Sequence, residues 1–203
     1  MMAVFISWDV IFTNNGFWGF NELYISGFRI LNLPIEEWLF FVCIPYACIF
    51  THYSLKHFFP RFLFSEKTVN IFYTLLMATL IISLWYLYDR WYTLVNFGYA
   101  ILLLGLIFNF RKKDLQLFLP TFLVILIPFF IINGVLTGSF INEQVVWYNN
   151  AETMGIRVGT VPLEDSVYAL TMLITVFTLM EWFEERKKRS KNKNHSSANN
   201  LLT

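Results

Sequence analysis

Two acid pairs stand just behind prolines in an otherwise apolar chain. Leu33-Pro34-Ile35-Glu36-Glu37-Trp38-Leu39 reads LPIEEWL, and Val161-Pro162-Leu163-Glu164-Asp165-Ser166 reads VPLEDS. Adjacent carboxyls in a poorly hydrated cleft cannot both ionise easily, because desolvation and like-charge repulsion oppose the second charge. Such a pair can exchange protons with a substrate that offers nothing else to react with, an alkene being the clearest case. A simpler role exists, since proline suits the first helical position and acids in the first turn complement the helix dipole. Three features favour chemistry. The charge-free run behind the second pair, 166–180, is only about 22 Å long as a helix. That is short of a roughly 30 Å hydrocarbon core, so Glu164 and Asp165, or Glu181 at the far end, sit at or inside the membrane boundary. Carboxylates at that depth cost a few kcal/mol and are usually functional. Finally, each pair travels with an arginine, Arg29 or Arg157, and an asparagine, Asn21 or Asn149, able to orient it.

The elements that must position these groups follow from composition. Of 203 residues, 57% are hydrophobic and 14% charged, a membrane composition. Charge-free runs at 38–55, 68–88, 91–110, 115–142 and 166–180 predict an all-α, polytopic membrane helix bundle. It has about five full transmembrane helices plus an N-terminal partial helix. Residues 1–12 read as the end of a helix and not as a signal peptide, because no basic stretch precedes MMAVFIS and Trp8-Asp9 interrupts it. Alternating the five helices puts Lys56, Arg61, Lys67, Arg111, Lys112, Lys113 and the basic run from Arg186 to Lys193 on one side. Only Arg29, Arg90 and Arg157 fall on the other. The positive-inside rule makes the first side cytoplasmic, with the C-terminus, and the acid motifs non-cytoplasmic, as in a bacterial cytoplasmic membrane. Residues 186–203 are expected to form a basic, disordered cytoplasmic tail, its charge topological and not a nucleic-acid site. Cys43 and Cys48 face different directions on one helix and read as packing residues.

The chain repeats itself. Shifted by 128 positions, Asn21, Gly27, Arg29, Pro34 and Glu36 meet Asn149, Gly155, Arg157, Pro162 and Glu164 as identities, and Glu37 meets Asp165. With a four-residue gap upstream, Asp9 and Thr13 meet Asn133 and Thr137. Four helices separate the two motifs, so both enter the membrane from the same side. This is a parallel duplication, 1–88 and 89–185, with a pseudo-two-fold axis along the membrane normal and a site expected between the halves.

No glycine-rich phosphate loop, dinucleotide fingerprint, zinc-binding helix motif, Cys/His cluster or aspartate-rich pyrophosphate motif occurs, so no cofactor and no metal are expected. His52 and His57 read as interfacial. Trp85, Tyr86, Tyr88, Trp91, Tyr92, Trp147 and Tyr148 cluster where an aromatic belt belongs. Trp18, Phe20, Trp38, Tyr148 and Tyr168 lie within or beside the repeated motifs, where their π faces can stabilise a carbocation.

Several segments recur in the same order in both halves. In the first they are Trp8-Asp9-Val10-Ile11-Phe12-Thr13, Gly16-Phe17-Trp18-Gly19-Phe20-Asn21, LPIEEWLFF from Leu33 and Ile44-Pro45-Tyr46-Ala47-Cys48. In the second they are Asn133-Gly134-Val135-Leu136-Thr137-Gly138, Val146 to Glu152, Gly155-Ile156-Arg157 and Pro162-Leu163-Glu164-Asp165. Together they resemble the membrane-integral lycopene cyclases of the heterodimeric type, in their fused single-chain form. The resemblance spans residues 5 to about 185 and implies cyclisation of the linear ψ ends of lycopene to β-ionone rings, without flavin and without net redox change. It implies catalytic roles among Glu36, Glu37, Glu164 and Asp165, with Arg29, Arg157, Asn21, Asn149, Asp9 and Asn133 in support. Which carboxyl is acid and which base stays open. The implied partners are an acyclic carotenoid and the lipid bilayer, with homo-oligomerisation or association with other carotenoid-pathway enzymes left open. The family usually carries a further membrane segment or two ahead of its Trp-Asp motif, where this chain has MMAVFIS.

Three other classes fit parts of this pattern. A proton-coupled carrier needs a polar path continuing to the cytoplasmic side, a membrane prenyltransferase needs acids enough to hold metal pyrophosphate, and a carotenoid-binding protein has no use for four acids at matched positions.

Overall fold

A computed structural model describes residues 1–200, with side-chain surroundings given through residue 190. The helices are α1 (Met2–Asn14), α2 (Ile35–Phe58), α3 (Glu66–Tyr86), α4 (Trp91–Phe110), α5 (Lys112–Leu136) and α6 (Leu163–Asn200). The last five are long and apolar enough to cross a membrane, α6 through Leu163–Ser190, and α1 is a shorter apolar helix. The all-α integral membrane bundle is therefore the architecture. Within the expected fourth run the helix stops at Leu136, because Thr137 and Gly138, the latter at φ 103°, turn the chain. Within the expected tail the helix does not stop: α6 continues through the basic stretch to Asn200, lysine and arginine being good helix formers and Glu184 pairing with Lys188 one turn on. Residues 201–203 lie outside the described residues.

Between helices, six short strands shape two matching loops. β1 (Trp18–Phe20) pairs antiparallel with β4 (Val146–Tyr148), β2 (Arg29–Ile30) with β3 (Leu33–Pro34), and β5 (Arg157–Val158) with β6 (Val161–Pro162). The 128-residue shift read from the sequence holds at the level of single hydrogen bonds. Asn21 Oδ1 accepts from the Leu23 amide at 3.1 Å, as Asn149 Oδ1 does from Ala151 at 3.0 Å. Arg29 pairs with Pro34 and donates to the Asn32 carbonyl, while Arg157 pairs with Pro162 and donates to the Thr160 carbonyl. Gly27 and Gly155 share a left-handed backbone, φ 80° and 78°, which glycine adopts without the cost a Cβ brings. Between the halves, the Asn21 amide donates to the Val145 carbonyl and the Asn149 amide to the Phe17 carbonyl, both at 2.8 Å. This reciprocal pair brackets the β1–β4 ribbon and ties the two matching loops together.

The helices bury the two halves unequally. α4 packs along α6, where Val167, Thr171 and Ile174 are 8%, 0% and 0% exposed. Their counterparts on α2 stay open: Leu39 is 54% and Tyr46 75% exposed, and Cys43 is exposed too. Among the described residues no helix lies on α2 as α4 lies on α6. At the basic end, Arg111 pairs with Asp114 and Glu185, and Lys112 with Glu66, which fastens the α4–α5 connection to α3 and α6.

Candidate active site

Where the ribbon meets the helices, a cavity of about 330 Å³ lies among α2, α5 and α6. Its walls are mainly apolar, with Thr51 at the far end, and at the ribbon end Asp9, Glu37, Asp165 and Asn133 converge. Each comes from a different helix: α1, α2, α6 and α5 in that order. Asp9 is 2% exposed, and its Oδ1 accepts from Trp18 Nε1 at 2.6 Å and from Thr13 Oγ1 at 3.4 Å. Its Oδ2 takes no hydrogen bond from any described residue, and the Glu37 carboxyl lies beside it. Two carboxyls so placed, one with an unfilled oxygen, can hold one proton between them.

Asp165 is held differently. Tyr92 Oη donates to Oδ1 at 2.5 Å and Tyr148 Oη to Oδ2 at 2.8 Å, so both oxygens act as acceptors. Burial, together with the Asp165 carboxyl, pushes the Tyr148 phenol well above its ordinary range, which keeps it a donor. The Arg157 guanidinium lies 5.9 Å from the Tyr148 ring centre. Tyr168 stands near Asp9, Glu37 and Asp165. The rings of Trp18, Phe20, Phe40 and Tyr168 complete the wall around the acids.

Of the residues singled out in the sequence, the cavity gathers Glu37, Asp165, Asp9, Asn133, Trp18, Phe20, Tyr148 and Tyr168. The others lie outside it. Glu36 faces outward and accepts the Ser26 amide at 2.8 Å, so it closes the turn ahead of α2. Glu164 makes the matching bond to the Met154 amide, and it also accepts from Thr93 Oγ1 at 2.9 Å beneath α4. Successive residues on a helix point about 100° apart, so one acid of each pair caps its loop while the other enters the cavity. Arg29 pairs with Glu22, Asn21 and Asn149 shape their loops, and Trp38 Nε1 donates to the Ile30 carbonyl. Tyr92 belongs to the site although its position suggested the interfacial belt. It is 2% exposed, and only its partnership with Asp165 distinguishes it from the exposed Trp91 beside it. Among the described residues no three His, Cys, Asp or Glu side chains are grouped to hold a metal ion.

The repeat makes the site symmetric in place and asymmetric in chemistry. Asp9, Glu37, Trp18 and Phe20 of the first half answer to Asn133, Asp165, Val146 and Tyr148 of the second, and all eight line the cavity. One half thus offers two carboxyls, the other a single carboxyl between two phenols.

Comparison with protein families matches residues 1–55 and 89–183 to the family described as lycopene cyclase. No match was found among curated proteins or among solved structures.

Proposed function

The chain belongs to the lycopene cyclase family, an enzyme of carotenoid biosynthesis, and from that premise we propose that it closes the ψ ends of lycopene into β-ionone rings. The observation that carries the reading is the convergence of three carboxyls of unequal setting at one end of an apolar cavity. The Asp9–Glu37 pair is the acid. Its shared proton adds to the terminal double bond of the ψ end, which leaves a tertiary cation facing the rings of Phe40, Trp18 and Tyr168. The next suitably placed double bond attacks this cation. A carbon–carbon bond closes the six-membered ring, and the positive charge moves to a ring carbon. Asp165, with Tyr92 and Tyr148 fixing its orientation, is the base that removes the proton from the ring carbon bearing the chain. The electrons of that bond form the ring double bond.

One proton enters and one leaves, so the reaction is an isomerisation, complete once a proton passes from Asp165 back to the acid pair. Burial from water serves the same end, since a hydrated cation would be quenched as an alcohol. The positive-inside distribution of charge sets the acids toward the non-cytoplasmic face. Expression in a bacterial host that accumulates lycopene tests the reading through the pigments formed. β-Carotene or its one-ringed precursor is expected from the wild-type chain and is lost in Glu37→Gln and Asp165→Asn. Unchanged lycopene with the protein present in the membrane overturns the proposal, as does full turnover by both variants.

A further inference from the structure

The cavity has a closed floor. Its lining ends at Thr51 on α2, Val124 on α5 and Leu173 on α6. Immediately beyond, His52 Nδ1 meets Thr121 Oγ1 at 2.8 Å, and the His52 ring packs on Phe177 at 4.6 Å, with Phe118 stacked 5.2 Å from Phe177. All four residues are buried, His52 at 3% exposure and Phe118 and Phe177 at 0%. The opposite end is lined by the β1–β4 ribbon and the acids. Along α2, the distance from Glu37 to Thr51 is about 21 Å at 1.5 Å per residue. A linear carotenoid is longer than that.

The cavity does open sideways. Ala47 on α2 and Pro128 on α5 both line it and are both exposed, and Tyr46 and Phe50, on either side of Ala47 along α2, are exposed without lining it. Ala47 is the smallest member of the lining stripe Phe40, Ile44, Ala47 and Thr51, and it lies about 15 Å below Glu37 along the helix. On the other half the position matching Ala47 is Thr175, which bonds to the Thr171 carbonyl at 2.6 Å and meets Tyr99 Oη at 3.4 Å, so α4 seals that flank. The α2–α5 seam is the open flank, and it extends upward from Ala47: Ile132, one turn above Pro128 on α5, also lines the cavity and is 51% exposed, so a short substrate has an entry above Ala47.

We propose, building on the cyclase reading, that Ala47 and Pro128 form a lateral portal through which one ψ end enters from the bilayer while the rest of the polyene stays in lipid. The apolar walls and apolar surroundings of the seam suit a hydrocarbon chain along its whole length. A molecule seated this way presents one end to the acids at a time. The one-ringed product must withdraw through the seam and re-enter reversed before its second end can react.

The test compares two substrates in membranes containing the full chain: lycopene, and a truncated apocarotenoid that has one ψ end and is short enough to fit wholly above Ala47. Wild type is expected to cyclise both, and to show the one-ringed product of lycopene before the two-ringed one. Ala47→Trp is expected to lower lycopene turnover roughly tenfold or more relative to the truncated substrate, the scale on which a filled pocket discriminates. Equal turnover ratios in wild type and variant overturn the portal. If Ala47→Trp turns over neither substrate, Ala47→Met decides: a loss confined to lycopene upholds the portal, and an equal loss on both overturns it. A wild-type chain that cyclises neither substrate contradicts the cyclase reading itself, which separates the two failures.

Discussion

Trp18 and Tyr148 are paired across the β1–β4 ribbon, and each donates a hydrogen bond to a different buried carboxyl, Trp18 to Asp9 and Tyr148 to Asp165. Their rings are 6.3 Å apart. A single rung of backbone pairing therefore fixes the separation of the acid pair from the third carboxyl. The ribbon lies outside the membrane-spanning helices, yet it sets the geometry of groups on α1 and α6. Loop residues that aim a donor at a site on rigid helices are a common division of labour.

Replacing the two phenols separates orientation from chemistry. Tyr148→Phe and Tyr92→Phe each remove one hydrogen bond to Asp165, and each is expected to reduce turnover by up to roughly tenfold, the scale of one net hydrogen bond. Asp165→Asn removes the proposed base and is expected to cost on the order of 10²–10⁴-fold. Initial rates of lycopene consumption in membranes measure all three. A Tyr148→Phe enzyme as inactive as Asp165→Asn gives the phenol itself a chemical role.

Within each acid pair the two members are expected to behave oppositely. Glu37→Gln takes a carboxyl from beside Asp9 and removes the proposed proton donor, so turnover is expected to fall while the protein accumulates normally. Glu36→Gln leaves an oxygen able to accept the Ser26 amide outside the cavity, so turnover stays near wild type. Pigment ratios normalised to membrane protein distinguish the outcomes, and equal losses contradict the assignment.

Glu164 is expected to matter for stability more than for rate. Glu164→Ala strands the Thr93 hydroxyl and the Met154 amide in a buried setting, at a cost of about 1–3 kcal/mol for each donor left unpaired. Thermal unfolding in detergent should show a lower midpoint, with turnover per folded molecule largely kept. An unchanged midpoint means that the donors find other partners.

Gly27→Ala and Gly155→Ala test whether the loops are equivalent in energy as well as in form. No atom lies within 4 Å of an added Cβ at either site, so only the left-handed backbone is at issue, at about 1–2 kcal/mol each. Similar losses of thermal stability are expected from both, and a loss at one site alone shows that the two turns are held differently.

Hydropathy makes the five spanning helices legible: four apolar runs approach the length of a bilayer crossing by themselves, and the fifth, 166–180, reaches it only with the charged residues that flank it inside α6. The repeat is legible too, since polar identities in a greasy chain are informative. The choice within each acid pair is not. Both members share composition, spacing and a helix start, and what divides them is the amide of Ser26 or Met154 that the preceding glycine turn delivers. Tyr92 is hidden for a related reason. Aromatics at a membrane boundary are common, and its neighbours Trp91 and Tyr88 do point outward. Only the packing of α4 on α6 turns this one toward Asp165. The extension of α6 to Asn200 reflects an ambiguity of charge-rich sequence, which favours solvent and helix alike.

The ribbon also dictates an order of assembly. Phe17 to Asn21 must wait for Val145 to Asn149, so the strand that completes the first half is made only after four more helices have been synthesised and inserted. Closing a connection that long is slow compared with forming any single helix. During that interval the nascent chain holds Asp9 and Glu37 at the membrane boundary with neither Tyr148 nor Asp165 to face them. Its most vulnerable stage therefore lies between the insertion of α2 and the arrival of α6, and the proposed site is complete only once α6 is in place.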